Sequence, residues 1–404
     1  MTRVVAAPWV LTGRPGGALP PAIADGAVAL DGDRIVAVGP RAEVEARHGR
    51  GERLDAVLLP ALVNAHLHLE LGHLAGAVPG GEGLAGWIGR FVEVRRARGD
   101  AGAADAMAAG ARALVDAGVA AVGDVSNTLG SLAALAAAGL AGTVFHEVFG
   151  SRPEWLAAAR TAGADARAAA PSLPGLRVVE SPHAVYSTDA DGLLELLAGP
   201  PASLHLAEDP AERAFVAGGV GPFAELRARW GSPPPRPGWA RSPVALAAPR
   251  LGPGWLLVHC VDLDDEDLAL LAASGATAVL CPRSNHHISR ARPPLARLLA
   301  AGVPLAVGTD SLASSPSLAP LAELAWLRRD QPEVPARALL PLAWNGPAVG
   351  APAVGRLLPG SAPGLLAAPL HGERPADPFE LLASGEGPLG RPVEWVARHV
   401  PEAP

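Results

Sequence analysis

Most of the chain alternates between two hydrophobic patterns. From residue 57 onward, short unbroken apolar runs are each followed by an alanine- and leucine-rich stretch of helical length. Unbroken apolar runs are typical of parallel strands that are buried on both faces. The runs occupy residues 57–63, 119–125, 143–149, 176–179, 202–206, 255–261, 277–281 and 303–307. Strand–helix units of this number and size predict an α/β protein built on a (β/α)8 TIM barrel.

The two ends of the chain have a different pattern. Residues 1–57 contain short strand-like segments separated by turns, whereas the chain beyond Asn345 is rich in proline, glycine and alanine, with apolar pieces at 365–370 and 379–382. We therefore expect residues 1–57 and 346–404 to form a small β-sandwich subdomain beside a catalytic barrel of residues 58–345. A loose C-terminal extension is the alternative for residues 371–404.

One connection is much longer than the roughly 2–6 residues usual in α/β units. It spans residues 209–254, between the fifth and sixth predicted strands, and contains a helical piece at 211–229. Long insertions at the rim of a barrel commonly belong to the substrate site. We expect this insertion to cover the barrel mouth and to make the pocket deep and largely apolar.

Composition narrows the classes of function. The chain has 404 residues, 49% of them hydrophobic, and a net charge of −7, so it offers a large core and no basic surface for nucleic acid. Its apolar runs fall short of the roughly 20 residues of a membrane-spanning helix. It contains two cysteines and no lysine, since all 33 basic residues are arginine. We expect a cytoplasmic protein that acts on a small molecule and not on nucleic acid or a membrane, with a homodimer as its candidate assembly.

Histidines and one aspartate stand at the ends of predicted strands. His66 and His68 lie two residues apart after the first strand, so both side chains point to one face. His205, His259 and Asp310 follow the fifth, sixth and eighth strands, whose ends surround the mouth of a barrel. Three histidines and an aspartate with one free position suit a catalytic zinc or a similar ion. Taken singly, His259 could be a buried structural histidine and Asp310 a helix N-cap, but together they favour a metal site.

Glu208 and His183 are further candidates for chemistry. Glu208 follows His205 by three residues, and a carboxyl group beside an activated water can act as a proton shuttle. Its structural alternative is to stabilise the start of the helix predicted near residue 211. His183 ends the fourth predicted strand, where it could contact substrate or serve only in packing.

Five short segments, in order, resemble the successive motifs of the amidohydrolase superfamily, and more narrowly of its mononuclear deaminase and chlorohydrolase branch. They are Asn64-Ala65-His66-Leu67-His68, His205-Leu206-Ala207-Glu208, Val258-His259-Cys260, Cys281-Pro282-Arg283-Ser284-Asn285 and Gly308-Thr309-Asp310-Ser311. The resemblance implies one divalent ion per chain, zinc in preference to iron, with His66, His68, His205 and Asp310 as ligands. It also implies that His259 holds the attacking water, that Glu208 moves protons, and that Asp310 assists them. The absence of lysine agrees with a single metal ion.

Within this branch, residues 205–225 and 311–317 resemble the 6-aminodeoxyfutalosine deaminases of menaquinone biosynthesis. The resemblance implies hydrolytic deamination of an aminopurine nucleoside that carries a benzoate tail. The candidate substrate contacts are Trp87, His183, Asn285, Ser311 and Ser314. Because the chain has no lysine, an arginine would bind the carboxylate of the tail, and the candidates are Arg90, Arg95 and Arg283.

The substrate assignment has alternatives. The same motifs also resemble those of deaminases that act on S-adenosylhomocysteine, methylthioadenosine, adenosine or guanine, and those of triazine hydrolases. S-adenosylhomocysteine deaminases carry a glutamate directly before the position of Trp87, whereas Glu82 here is five residues away. A non-catalytic barrel is a second alternative. Its signature would be missing site residues, and all six are present.

Overall fold

The computed structural model describes residues 2–14, 19–32, 34–233, 237–361, 364–385 and 390–401. The strands are β1 (Thr2–Val10), β2 (Ile23–Asp31), β3 (Arg34–Pro40), β4 (Glu52–Arg53), β5 (Ala56–Pro60), β6 (Leu62–Leu67), β7 (Val119–Ser126), β8 (Ala141–Val148), β9 (Leu176–Pro182), β10 (Ser203–Leu206), β11 (Leu256–His259), β12 (Thr277–Leu280), β13 (Leu305–Val307), β14 (Leu365–Pro369) and β15 (Glu394–Ala397). The α-helices are α1 (Arg41–His48), α2 (Leu84–Arg98), α3 (Ala103–Asp116), α4 (Ser131–Ala137), α5 (Pro153–Ala169), α6 (Ala190–Leu197), α7 (Pro210–Gly218), α8 (Pro222–Arg229), α9 (Pro243–Ala247), α10 (Asp265–Ser274), α11 (Pro282–Ser289), α12 (Leu295–Ala300), α13 (Pro320–Asp330), α14 (Ala336–Leu339) and α15 (Pro378–Ala383). Among the residues so described, no helix is both long and apolar enough to span a bilayer.

Strands from both ends of the chain combine in one seven-stranded sheet, in the order β15-β14-β5-β1-β2-β3, with β4 beside β1. β14 runs antiparallel to β5, which places Leu366 opposite Leu59. The sheet buries an aliphatic cluster that includes Val10, Leu58 and Leu365. The two ends of the chain therefore meet in a single sheet, and the division of this sheet into the two layers of a sandwich stays a prediction.

The C-terminal segment differs from its expected pattern. The apolar piece at 379–382 lies in helix α15, because Pro378 occupies its first turn and the Asp377 side chain accepts a hydrogen bond from Phe379 N over 2.8 Å. The strand that pairs with β14 is β15 instead. Trp395 Nε1 in β15 donates to Val115 O in α3 over 2.8 Å. The alternative of a loose extension was therefore wrong for β15.

Eight parallel strands carry the candidate site residues. β6–β9 form one four-stranded sheet and β10–β13 form another, each in chain order. Backbone hydrogen bonds join the two sheets at both seams: His205 N donates to His183 O over 3.0 Å, and Thr309 N donates to His66 O over 2.9 Å. Because the neighbouring strands run parallel, their carboxyl ends lie at one rim.

The first predicted apolar run, 57–63, is divided between two sheets. β5 pairs with β14 in the terminal sheet, whereas β6 begins at Leu62, whose N donates to Gly118 O over 2.9 Å. Both strands are fully buried. Since burial on both faces gives the same unbroken apolar pattern in either sheet, the pattern alone could not locate the change.

The 209–254 insertion contributes helices α7, α8 and α9. The piece predicted as one helix at 211–229 is two helices, because Gly219 and Gly221 have φ of 66° and 89°. Residues other than glycine rarely adopt such positive φ angles. Helix α8 packs against α2, which brings the insertion over the rim of the parallel strands.

Candidate active site

The first parallel strand places two imidazoles beside one carboxylate. His66 lies in β6 and His68 directly follows it. The Nε2 atoms of His66 and His68 lie 3.7 Å and 3.6 Å from Oδ1 of Asp310, which follows β13 across the seam. The two-residue spacing of the histidines therefore does bring both rings to the same side of the strand.

His205 completes this cluster from β10. Its Nε2 lies 3.3 Å from Nε2 of His68. Its Nδ1 lies 3.1 Å from the carbonyl oxygen of His183, which can only accept, so Nδ1 carries the proton and Nε2 presents a lone pair to the cluster. Burial lowers the pKa values of His68 and His205 to about 4. Both imidazoles are therefore neutral near pH 7, as metal ligands must be.

The ring nitrogens of His66 indicate what the cluster can hold. Both are buried without a hydrogen-bond partner, in a residue that is 1% exposed. Such a nitrogen is unfavourable unless it binds a ligand. The ligand atoms of His66, His68 and Asp310 lie within 4.8 Å of one another, as do those of His66, His205 and His259. Imidazoles and a carboxylate at this spacing fit one divalent ion of the zinc type.

Asp310 is held so that its two oxygens have different roles. Ser284 Oγ and Ser314 Oγ donate to Oδ2 over 2.5 Å and 2.9 Å, which leaves Oδ1 to face the histidines. Burial alone would raise the pKa of Asp310, but the neighbouring imidazoles of His66, His68 and His259 outweigh it and hold the pKa well below its ordinary range. Asp310 is therefore ionised, as a metal ligand or proton acceptor requires.

Glu208 and His259 face each other beside the cluster. Nε2 of His259 lies 3.3 Å from Oε2 of Glu208. On the other side of the ring, Asn285 Nδ2 donates to His259 Nδ1 over 3.0 Å. Burial, with the charge of Asp310 added, raises the pKa of Glu208 well above its ordinary value. Glu208 and His259 are thus placed for proton exchange within the site.

Three strand ends at the site have left-handed backbone. Ala207, His259 and Asp310 have φ of 53°, 78° and 58°. Residues other than glycine rarely adopt this region, and such positions concentrate at functional sites, where the surrounding structure holds them. The three residues follow or end β10, β11 and β13, so the strain lies where the candidate catalytic side chains turn into the rim.

Glu212 holds the turn that carries Glu208. Its Oε1 accepts from Glu208 N over 2.7 Å, and its Oε2 accepts from Ala207 N over 3.2 Å. Helix α7 is capped by Asp209, whose side chain accepts from Ala211 N over 2.9 Å. Asp209, and not Glu208, is therefore the residue that caps this helix. The side chain of Glu208 remains available to the active site. Sequence reasoning missed Glu212, although its position four residues after Glu208, in the first turn of a helix, is a signal for such a contact.

A cavity of about 870 Å³ opens above the cluster. Of the candidate substrate contacts, Trp87, His183 and Ser311 line it. Asn285 and Ser314 lie outside the cavity wall, where they bond to His259 and Asp310. The cavity has further lining residues that sequence reasoning missed, namely Glu147, Tyr186 and Arg227. Glu147 stands near the end of β8, so the rule of strand ends could have found it.

Of the three arginines considered for a carboxylate-bearing tail, one lines the cavity. Arg283 is buried and its Nε donates to Glu323 Oε1 over 2.7 Å, which removes it from that role. Arg90 pairs with Glu82 and lies outside the wall. Arg95 does line the cavity, at the end of α2.

These features coincide with those of a known family. The model of the Amidohydrolase family matches residues 57–367, and a bacterial imidazolonepropionase-like composite domain matches residues 26–49. The chain belongs to the amidohydrolase family. It is 33% identical to an aminodeoxyfutalosine deaminase of Deinococcus radiodurans, over 82% of this chain and 81% of the relative. It is 28% identical to a 5-methylthioadenosine/S-adenosylhomocysteine deaminase of Nitratidesulfovibrio vulgaris, over 84% of this chain and 78% of the relative.

Solved structures share the fold. Aminofutalosine deaminase of Helicobacter pylori, in complex with methylthio-coformycin, superposes with a TM-score of 0.81 at 22% identity, covering 94% of this chain and 95% of that one. An adenosine deaminase from Xanthomonas campestris with bound zinc superposes with a TM-score of 0.76 at 23% identity, covering 98% and 92%. Both likenesses extend over nearly the whole chain.

Proposed function

We propose that the protein is a metal-dependent hydrolytic deaminase of an aminopurine nucleoside, and that aminodeoxyfutalosine is its substrate. The observation that carries the reaction is the pair Glu208 and His259, 3.3 Å apart, beside the four-residue cluster of metal-ligand type. The 33% identical aminodeoxyfutalosine deaminase supports the substrate. The enzyme class is a hydrolase acting on C–N bonds other than peptide bonds.

His66, His68, His205 and Asp310 would hold the metal ion, and zinc suits their donor atoms best. The zinc in the similar adenosine deaminase structure supports this choice over iron. When bound, the ion supplies a Lewis acid that makes a water molecule acidic enough to attack at neutral pH. The rest of the chemistry is proton transfer, for which the chain's own residues are arranged.

In the proposed reaction, water adds to the ring carbon that bears the amino group, and that group leaves as ammonia. His259 and Asp310 orient the water and accept its proton. Glu208 gives its proton to the ring nitrogen next to the attacked carbon. The proton that His259 and Asp310 accepted from the water then passes through Glu208 to the departing amino group. The hydroxyl proton on the attacked carbon returns to Glu208, so the site ends in its starting protonation state. A carbon–oxygen bond forms and a carbon–nitrogen bond breaks, so an aminopurine becomes an oxopurine. Asn285 and Ser314 act through His259 and Asp310, while Trp87, His183 and Ser311 contact the substrate.

We infer that the two parallel sheets form one closed (β/α)8 barrel. The catalytic domain, predicted as residues 58–345, then begins at Leu62, because β5 belongs to the terminal sheet. The backbone hydrogen bonds across both seams support closure. Residues 1–57 and 346–404 form the β-subdomain. We place the enzyme in the cytoplasm, since Cys260 and Cys281 are both free and buried. The proposed partner is the small-molecule substrate, without nucleic acid or membrane, and the candidate assembly is a homodimer.

A second candidate is deamination of methylthioadenosine or S-adenosylhomocysteine, which the 28% identical relative performs by its name. The same metal cluster and proton-transfer residues would serve either reaction. The two candidates differ in the group attached to the ribose, so residues of the outer cavity decide between them. The absence of an acidic residue directly before Trp87 favours aminodeoxyfutalosine.

The test is a screen of zinc-loaded protein against adenine and guanine nucleosides and triazines. Deamination of an adenine nucleoside shifts its ultraviolet absorbance and releases one ammonia per turnover, and both signals should appear together. The Glu208→Gln variant serves as the control for contaminating deaminases. Release of ammonia from none of these compounds would contradict the proposed reaction.

A further inference from the structure

One buried arginine in the cavity wall forms no ion pair with a carboxylate of the described residues. Arg227, in α8, is 6% exposed and lines the cavity. Its Nη2 donates to Ser151 O over 2.7 Å, while its Nε is buried without a hydrogen-bond partner. In the described part of the chain no ion pair joins Arg227 to a carboxylate, and burial lowers its pKa. The charge of Asp189 raises the pKa of Arg227 without forming an ion pair, and the Phe215 ring centroid lies 5.6 Å from the guanidinium carbon. Among the described residues, the guanidinium therefore has no carboxylate bonded to it.

Such an arrangement is costly, because a buried charge is tolerated only when it is paired and hydrogen-bonded. Arg283 in the same protein, which is 7% exposed, is stabilised in the usual way by an ion pair, with its Nε 2.7 Å from Glu323 Oε1. Arg227 is buried to the same degree but forms no such ion pair within the described residues. Because Arg227 lines the cavity, an anion bound there can supply the bonded partner that the described side chains do not.

Two hydroxyl groups lie beside this guanidinium. Ser151 and Ser232 also line the cavity, and their Oγ atoms are 2.5 Å apart, so one hydroxyl donates to the other. The second hydroxyl keeps its proton for another acceptor. Because Arg227 already bonds to the backbone of Ser151, the free hydroxyl and the guanidinium are close neighbours. Together they offer hydrogen-bond donors to an anion, and no carboxylate of the described residues is bonded to either group.

Exposed aromatic rings line the same cavity. Phe149, Trp155 and Trp230 line it and are 46%, 44% and 40% exposed, among the most exposed large apolar side chains that the structure describes. Exposed aromatic surface in a cavity is typical of ligand-binding sites, where it packs against an apolar or aromatic group. We call the set of Ser151, Arg227, Ser232 and these three rings the outer subsite.

We propose that the outer subsite binds a carboxylate carried on an aromatic ring of the substrate, and that Arg227 determines specificity for that group. The inference rests on the proposed function, since it gives the nucleoside its place at the metal cluster and the aryl carboxylate its place at Arg227. One buried guanidinium balances one negative charge, which favours a carboxylate over a doubly charged phosphate. A guanidinium also matches the two oxygens of a carboxylate geometrically.

The experiment compares aminodeoxyfutalosine, its methyl ester and adenosine in the wild type and in the variants Arg227→Met and Arg229→Met. Arg229 is exposed on the same helix and lies outside the cavity wall, so it is the matched control. The expected loss is about 10- to 100-fold in kcat/KM for the acid with Arg227→Met, the range for a hydrogen bond to a charged group. The ester and adenosine should keep their rates, and Arg229→Met should behave as the wild type.

Two further measurements distinguish a wrong assignment of Arg227 from a wrong assignment of the reaction. Equilibrium binding of the acid and the ester to the Glu208→Gln protein, with and without Arg227→Met, reads the subsite without turnover. The melting temperature of Arg227→Met should equal or exceed that of the wild type, because a buried charge with no ion pair among the described residues is removed, whereas loss of a structural arginine would lower it. An unchanged preference for acid over ester in Arg227→Met would overturn this inference. Failure of the wild type to deaminate any nucleoside would instead overturn the proposed function.

Discussion

Nδ1 of His205 donates to the backbone carbonyl of His183 over 3.1 Å, and this bond decides which nitrogen of His205 faces His68. The same carbonyl accepts from His205 N over 3.0 Å, at the seam between the two parallel sheets. The orientation of one candidate ligand thus depends on how two strands meet, and not on a second side chain. Partners of this kind fix the tautomer of metal-bound histidines.

Metal content is the first prediction. The cluster should bind about one zinc ion per chain, because it offers three imidazoles and a single carboxylate. A chelator should abolish turnover and lower the melting temperature, since an ion that binds only the folded state stabilises it. Elemental analysis and thermal denaturation before and after zinc is restored provide the check. Two ions per chain at full occupancy, or full activity without metal, would contradict the site.

Replacement of Glu208 gives the second prediction. Glu208→Gln keeps the shape of the side chain and removes proton transfer, so kcat should fall by roughly 10²-fold or more while the metal stays bound. Asp209→Ala is the contrasting variant, because it removes the cap of α7 and should cost about 1 kcal/mol of stability. If Glu208→Gln were to lose stability and keep its rate, Glu208 would be structural. The rates and unfolding free energies of both variants are the readout.

The third prediction concerns a close approach between two strands. A Cβ at Gly308 would lie 2.7 Å from Cβ and 2.8 Å from O of His66. Gly308→Ala should therefore displace His66, cost about 1–3 kcal/mol in stability and weaken metal binding. Gly252→Ala is the control, since a Cβ there meets nothing within 4 Å. Equal zinc affinity in the two variants would show that His66 tolerates the shift.

A buried carboxyl group supplies the fourth prediction. Asp124 is fully buried in β7, and its Oδ2 has no hydrogen-bond partner. Burial, with a smaller effect from the charge of Glu70, raises its pKa from 3.8 to about 7. Between these values the folded chain keeps a proton that the unfolded chain releases, so this group makes stability fall as pH rises through the window.

Asp124→Asn should flatten that fall. The check is the unfolding free energy of the zinc-loaded protein, measured by denaturant at several pH values from acid to neutral. The exposed Asp116→Asn, in α3, is the control and should leave the slope of the wild type unchanged. Parallel profiles for all three proteins would mean that Asp124 does not titrate in this range.

Much of the site could be predicted because its residues stand at strand ends. His66, His205, His259 and Asp310 each follow or end an apolar run, and parallel strands bring such ends together whatever the details of packing. The same reasoning missed Arg227 and Glu212, since both lie on helices of the insertion. What places them is the break at Gly219–Gly221 and the contact of α8 with α2, which are tertiary features.

The hydrophobic pattern also gave wrong predictions where two different arrangements of the chain would bury the same residues. The run at 57–63 was predicted as one strand, but its residues belong to two strands in two different sheets. The piece at 379–382 has the hydrophobicity of a strand, but it is preceded by a helix cap and forms a helix. In the second case the signal was available in Asp377 and Pro378, a side-chain cap followed by proline. In the first case the change at Pro60–Leu62 follows from pairing with β14, some 300 residues later in the chain.

Steady-state kinetics of the zinc-loaded protein with aminodeoxyfutalosine, adenosine, S-adenosylhomocysteine and guanine will decide which of these compounds is its substrate. A cavity of about 870 Å³ with an aromatic outer part should favour a nucleoside with an aryl extension. We predict a kcat/KM for aminodeoxyfutalosine at least about tenfold above each of the others, which corresponds to about 1.4 kcal/mol of transition-state binding. Equal or faster turnover of adenosine, S-adenosylhomocysteine or guanine would contradict the substrate assignment.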